Sequence, residues 1–129
     1  MIIITIPGDP VAQQRPRFSR RLGRAFNPQA DVDNCITWHI ASQWGGREPL
    51  DGPVELDITF HMKLPASTSK KKRASLQGQP CLKKKDLDNL IKKYLDCANG
   101  ILFHDDGQVW SITARKVWDV EGKTVVVIR

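Results

Sequence analysis

The sequence predicts a single α+β domain in which a mixed β-sheet is packed by two main helices. At 129 residues, the chain has the usual size of one domain. Residues 54–62 alternate strictly, with apolar side chains at the even positions, which predicts a half-buried strand. Apolar residues within 32–44 and 90–98 recur at helical spacing instead. Strand and helix signals in one short chain therefore indicate the α+β class.

The first half of the chain predicts one strand, a basic arm and one helix. Ile2–Ile6 is an apolar run closed by a Pro- and Gly-rich turn, as expected for an opening strand. The Arg-rich stretch that follows has little periodicity, so we expect an extended arm or a loose hairpin around Gly23. Asn27 as a cap and Pro28 at the first helical position predict a helix start, and Gly45-Gly46 predicts its end.

The second half predicts another helix followed by two strands. Asp88 or Asn89 can cap the helix, and Asn99-Gly100 supplies its stop. Residues 109–118 alternate, with both tryptophans on the apolar face, and residues 124–128 form a Val-rich final strand. A short polar turn separates these two strands, so we expect them to pair as a terminal hairpin.

Composition indicates an intracellular protein outside the membrane. No apolar run approaches the roughly 20 residues that a membrane span needs. The N-terminal apolar run is too short for a signal peptide and lacks a basic lead-in. The three cysteines are far apart and show no metal-ligand or redox spacing, so we expect reduced thiols. We therefore expect a cytoplasmic location.

Positive charge is concentrated in two segments. Residues 15–24 hold five Arg and no acid, and residues 63–85 hold eight Lys or Arg and no acid. These segments carry 13 of the 20 basic residues, which leaves 7 basic against 14 acidic residues, or −7, elsewhere. Such segregation is typical of a protein that binds a polyanion. We predict a flexible basic arm at 13–26 and a mobile basic loop at 65–85, which leads directly into the acidic residues described next.

Four carboxylates bracket the second helix. Asp86 and Asp88 share one face if their segment is extended, and Asp105 and Asp106 follow the helix in a tight turn. We expect the chain to return beside its own helix start, so that these oxygens converge on Mg²⁺ or Mn²⁺. Lys92, one turn into the helix, would stabilise charge developing on a phosphate. In a second interpretation, Asp88 is only a helix cap and Asp105-Asp106 only a polar turn.

At these residues the chain resembles the RusA-type Holliday junction resolvases, endodeoxyribonucleases often encoded by phages and prophages. The matching motif is Asp86-Leu87-Asp88-Asn89-Leu90, continuing through Lys92, and then Asp105-Asp106-Gly107-Gln108-Val109. The Ile6–Val11 opening and the Arg15–Phe18 arm also look like family features. Many relatives have Pro before the first Asp, where this chain has Lys85.

The resemblance implies the roles of individual residues. It places metal-binding acids at Asp86, Asp88 and Asp106 and a catalytic lysine at Lys92, with Asp105 as a possible further ligand. It also implies a homodimer whose two sites cut opposing strands of a four-way DNA junction with Mg²⁺ or Mn²⁺. The residues expected to hold the DNA are all basic: Arg15, Arg17, Arg20, Arg21, Lys70, Lys71, Lys72, Arg73, Lys83, Lys84, Lys85 and Lys93. The alternatives are a non-catalytic nucleic-acid-binding protein and a nuclease for other branched DNA, such as flaps.

Overall fold

Six strands and three helices build the chain, and the computed structural model describes all residues, 1–129. The strands are β1 (Ile2–Pro7), β2 (Arg17–Ser19), β3 (Arg24–Phe26), β4 (Val54–Lys63), β5 (Val109–Asp119) and β6 (Lys123–Ile128). The helices are α1 (Ala30–Trp44), α2 (Lys70–Leu76) and α3 (Leu87–Ala98), and a short 3-10 turn covers Asp106–Gln108. None of the helices combines the length and the apolar character that a bilayer crossing requires.

The main sheet is mixed, as predicted, with the strand order β1-β6-β4-β5. β6 pairs antiparallel with both β1 and β4, whereas β4 and β5 are parallel. Parallel neighbours require a crossover connection, and the segment that contains α2 and α3 provides it. The predicted α+β class is confirmed.

The predicted terminal hairpin is wrong, because β5 and β6 are not neighbours. The physical reason is the pattern of side chains on the two strands. In β6, residues 124–128 are all β-branched and uncharged, which suits an interior strand. β5 carries Arg115 and Lys116 and lies at the sheet edge, where charged side chains discourage further strand pairing.

α1 and α3 cover one face of the sheet and enclose the core with it. The even-numbered residues of β4, from Val54 to Met62, are all buried, which confirms the predicted alternation. They pack with residues such as Ile40 of α1 and Leu90 of α3 in a single cluster of 19 buried side chains. Trp110 was predicted to lie on the apolar face of β5, and this prediction is wrong. The pairing register shifts between Val54 and Glu55, and Trp110 is 72% exposed.

The backbone differs from the prediction at the start of α1, follows it in the arm, and forms a short helix within the basic loop. α1 begins at Ala30, two residues after Pro28, because the Asn27 side chain accepts a bond from the Gln29 amide and remains outside the helix. The Arg-rich arm forms the β2–β3 hairpin with a turn that includes Gly23 (φ 63°), as expected. Within the basic loop, the short α2 is capped by the Ser69 side chain, which accepts from the Lys72 amide.

The direction of α3 defines two ends of the molecule. At the arm end, Asp9 accepts from the Lys63 amide at the end of β4 (3.1 Å) and pairs with Lys85, just before α3 begins (3.4 Å). At the opposite end, which we name the turn end, the Leu50 amide just ahead of β4 donates to Leu102, just after α3 finishes (2.9 Å). α3 therefore runs antiparallel to β4 and β5 across the sheet.

Candidate nucleic-acid interface and acidic site

Both basic segments belong to the arm end. The base of the β2–β3 hairpin is held beside α3, because the Gln13 amide donates to the Asn89 carbonyl (2.9 Å). The second segment is bonded to the last part of β5, with the Gly78 amide donating to Trp118 and the Cys81 amide donating to Lys116. The fold thus brings two stretches that are distant in sequence to one end of the molecule and concentrates positive charge there.

Asp86 and Asp88 lie at the start of α3, within this basic end. Asp86 is the N-cap residue, with extended backbone angles, and its carbonyl accepts from the Leu90 amide (3.0 Å). Asp88 is already in the first helical turn, so the predicted extended segment covers only the first of the two acids. Both side chains are exposed, and neither carboxylate has a hydrogen-bond or ion-pair partner in the chain. These carboxylates are therefore available to a ligand, near a helix N-terminus that favours anions.

Lys92 lies one turn further along α3 and borders an open cleft. The cleft runs between the base of the arm and the helix, and its lining includes Gln13, Arg15, Asn89 and Lys92. The Lys92 side chain is 62% exposed and forms an i,i+4 ion pair with Asp96 (3.4 Å). A surface pair of this kind is weak, so the Lys92 ammonium group remains available to a ligand at the cleft.

Lys93 was expected to contact DNA, and this prediction is wrong. Its side chain is 1% exposed, and its ammonium group forms an ion pair with Asp33 of α1. The reason is helix geometry: Leu90, Lys93 and Tyr94 share one buried face of α3 at spacings of three and four residues. Lys93 connects the two main helices and is not available to a phosphate backbone.

Of the other basic side chains predicted to contact DNA, most are exposed and two are bonded within the chain. Lys70, Lys71, Lys72, Lys83 and Lys84 are exposed, as are the four predicted arginines of the arm. Arg73 instead donates to the Thr68 and Ala66 carbonyls and closes the turn before α2. Lys85 donates to the Pro10 carbonyl (2.6 Å) in addition to its pair with Asp9. Because Arg73 and Lys85 are bonded within the chain, they stabilise the local backbone and are less available to a ligand than the exposed basic side chains.

Two residues that support Asp86 were missed by sequence reasoning. The Lys116 ammonium donates to the Lys83 and Lys85 carbonyls (3.1 and 2.7 Å) and thereby fixes the backbone just before Asp86. Asp9, through Lys63 and Lys85, ties the same segment to the end of β4. No local pattern marks Lys116, because its partners are carbonyls about 30 positions away. In the sequence, Asp9 is one residue of the Pro- and Gly-rich turn after β1, and no local pattern indicates its partners.

Tyr94 attaches the N-terminal arm to α3 from inside the core. Its hydroxyl accepts from the Val11 amide (3.2 Å), two residues before the cleft-lining Gln13. The pKa of the Tyr94 phenol is raised above its ordinary value of 10.0, mainly because the side chain is buried. The phenol therefore remains neutral at physiological pH and holds the base of the arm by a hydrogen bond.

Asp105 and Asp106 lie at the turn end, in a tightly bonded turn. The Asp105 side chain accepts from the Gly107 amide (3.2 Å), and the Gln108 side chain accepts from the His104 and Asp105 amides. The same Gln108 side chain donates to the carbonyls of Leu50 and Gly52, ahead of β4. The turn is thus fixed to the edge of the molecule at which β4 and β5 begin.

One chain does not bring the two acidic pairs together. The 12 residues of α3 separate them, a length of about 18 Å. The expected return beside the helix start does not occur, because the chain enters β5 at the level of Val54, where β4 begins. No three His, Cys, Asp or Glu side chains come close enough to hold a metal ion. The predicted ligand set therefore does not fit a metal ion within a single chain.

Comparison with known proteins identifies the family. The family model for endodeoxyribonuclease RusA matches residues 7–129. The protein YqaN of Bacillus subtilis (strain 168), described as uncharacterized, is 30% identical over 135 aligned residues, which cover 99% of this chain and 95% of YqaN. Both matches extend over the basic segments as well as the acidic pairs. The chain therefore belongs to the RusA family of endodeoxyribonucleases, whose activity is the resolution of Holliday junctions.

Proposed function

We propose that this protein is a homodimeric, divalent-metal-dependent endonuclease that hydrolyses phosphodiesters on opposing strands of a four-way DNA junction. Family membership supports the endodeoxyribonuclease activity. The metal requirement, the individual roles of the residues, the dimer and a cytoplasmic location are our proposals. The single observation that carries them is the arm end, where two acid-free basic segments flank the unpaired carboxylates of Asp86 and Asp88.

The basic side chains at the arm end would hold the DNA backbone. Arg15 lines the cleft beside Lys92, and Arg17, Arg20 and Arg21 extend along the hairpin. Lys70, Lys71 and Lys72 add charge from α2, and Lys83 and Lys84 add charge just before α3. Phosphate contacts of this kind position a nucleic acid without reading its sequence, and they weaken steeply as salt is added.

The catalytic roles follow from the chemistry of the exposed side chains. We assign metal binding to Asp86, Asp88 and Asp106, with Asp105 as a further ligand, because a donor set made only of carboxylates suits Mg²⁺ or Mn²⁺ better than zinc. Lys92, four residues after Asp88, would donate to a phosphate oxygen and stabilise the negative charge that grows there during hydrolysis. Its exposed ammonium in the cleft is well placed for this role.

The proposed function is tested with a synthetic four-way junction in the presence of Mg²⁺. We expect the wild-type protein to nick the junction at symmetric positions on opposing strands, and Asp86→Asn to bind it without nicking. Asp31→Asn is the matched control, since this exposed acid of α1 is subject to the same change outside the site. Linear duplex and a flapped duplex should be cut much less. Equal cutting of linear duplex would contradict the resolvase assignment.

A non-catalytic DNA-binding role is the second candidate. The observation that favours it is the wide separation of Asp86 and Asp88 from Asp105 and Asp106, since one chain alone does not assemble the expected ligands. Tight junction binding by the wild-type protein without nicking, with both Mg²⁺ and Mn²⁺, would support this candidate over the enzyme.

A further inference from the structure

We propose that Phe18 of the β2–β3 hairpin stacks on a nucleobase at the branch point of the junction, and that this contact distinguishes branched from linear DNA. The inference rests on the proposed function and adds a base contact to a surface of phosphate contacts. Phosphate contacts act on a backbone that branched and linear DNA share. A contact to the bases themselves therefore adds selectivity for the junction.

The β2–β3 hairpin buries none of its side chains. Its two strands form a sheet of their own, separate from the main sheet, and no residue in 17–26 is buried. Phe18 is 68% exposed. A two-stranded hairpin is only marginally stable by itself in water, and an aromatic side chain left in water does not stabilise it. Packing within the chain therefore does not explain Phe18.

The strand register places Phe18 on an open face of the hairpin. Residues directly opposite each other share a face, and Phe18 is opposite Ala25. Arg17 is opposite Phe26, and this second pair lies on the other face because side chains alternate along a strand. The methyl group of Ala25 is too small to cover the Phe18 ring. The ring therefore remains open to a planar ligand.

The charges around Phe18 indicate that this ligand belongs to a nucleic acid. Arg15 and Arg17 precede it, Arg20 and Arg21 follow it, and residues 15–21 include no acid. Aromatic side chains set among basic residues are typical of surfaces that hold phosphates with the charges and stack bases on the rings. A protein partner on this surface would have to cover four positive charges, and burying unpaired charges is costly.

The position of Phe18 along the arm places the stacked base near the proposed site of cutting. Arg15 lines the cleft together with Lys92. Phe18 follows Arg15 by three residues, which span at most about 10 Å in an extended chain. One strand of DNA advances about 3.4 Å per nucleotide. With a phosphate held in the cleft, the Phe18 ring can thus reach a base within about three nucleotides of it.

A branch point offers an open base at a low cost. In a linear duplex each base is covered by its neighbours in the stack, and inserting an apolar side chain requires unstacking. At a four-way branch the stack is interrupted, so an aromatic ring can occupy the base face that is left open. The stacking contact then favours the junction, whereas the arginines hold either form of DNA.

Fluorescence anisotropy without divalent cations, so that no strand is cut, tests this proposal with a labelled four-way junction and a linear duplex. We expect Phe18→Leu to weaken junction binding about tenfold, the usual effect of losing one stacked base, and to leave duplex binding unchanged. Phe18→Trp keeps an aromatic ring and should bind the junction at least as tightly as the wild type. Phe18→Leu that binds the junction as the wild type does, or that loses equally on junction and duplex, would overturn the proposal.

Phe26→Leu is the matched control. It removes the other aromatic ring of the hairpin, from the opposite face, and should leave both affinities unchanged. A loss of junction binding equal to that of Phe18→Leu would mean that both rings support the hairpin, and the proposal would fail.

The salt dependence of binding separates stacking from a structural role. Phe18→Leu removes no charge, so the slope of log K against log salt should equal that of the wild type. A smaller slope would show that the arginines of the hairpin have left the DNA, and a changed oligomeric state in light scattering would assign the ring to a contact between copies. Either result would overturn the proposal. If the wild-type protein binds the junction but does not nick it with Mg²⁺, the nuclease function fails, whereas these binding measurements still decide whether Phe18 stacks on a base.

Discussion

Lys92 and Lys93 are adjacent in the sequence, yet we predict opposite consequences when each is replaced by methionine. The Lys93 ammonium is buried against Asp33, whereas Lys92 is exposed at the cleft. Lys93→Met should therefore leave junction binding and nicking unchanged. Lys92→Met should reduce nicking strongly without loss of stability, because a 62% exposed side chain contributes little to the folded state.

The magnitude for the buried pair depends on which partner is removed. Asp33→Ala leaves the Lys93 ammonium buried and unpaired, for which the usual cost is about 3–5 kcal/mol. We expect about 3 kcal/mol, since the Asp33 side chain is 25% exposed and water can partly replace it. For a domain of this size, that lowers the melting temperature by about 10 °C. The double variant Lys93→Met/Asp33→Ala should recover most of this loss, because an apolar pair often replaces a buried ion pair at little cost.

Urea denaturation followed by tryptophan fluorescence measures the free energy of unfolding, and the double-mutant cycle isolates the coupling between the two residues. Electrophoretic mobility shifts with the four-way junction measure binding. The reasoning would be refuted if Asp33→Ala were as stable as the wild type. It would also be refuted if Lys93→Met weakened junction binding as much as Lys92→Met does.

Three further predictions concern the arm, the acidic turn and the response to alkaline pH. Arg20→Gln and Arg21→Gln should each weaken junction binding and reduce the slope of log K against log salt by about 1, as measured by fluorescence anisotropy; an unchanged slope would place these side chains outside the interface. Gln108→Ala removes donors to Leu50 and Gly52 and should cost about 1–3 kcal/mol in urea denaturation, and a smaller loss would show that water replaces them. Because burial raises the pKa of Tyr94 above 10.0 in the folded state, the folded protein binds more protons above that pH, so stability should fall as pH rises beyond it. Tyr94→Phe should remove this decline, and an equal decline in both proteins would assign it to other groups.

The sequence predicted those features that depend on residues close in the chain. Alternation located β4, the end of α3 lies close to the predicted Asn99-Gly100 stop, and the Gly23 hairpin is present. Lys93 could also have been recognised, since Leu90, Lys93, Tyr94 and Cys97 follow the three- and four-residue spacing of a buried helix face. The charge of Lys93 argued against burial, because its ion-pair partner Asp33 lies on the other helix, 60 positions earlier.

Features that depend on distant pairing were beyond local patterns. A short turn between β5 and β6 suggested a hairpin, but the completed sheet places β6 between β1 and β4. Similarly, the length of α3 allowed a return of the chain to its start, and only the parallel pairing of β5 with β4 places Asp105 at the turn end. Local propensity cannot distinguish these outcomes, because the same strands form in each arrangement and differ only in the strands with which they pair.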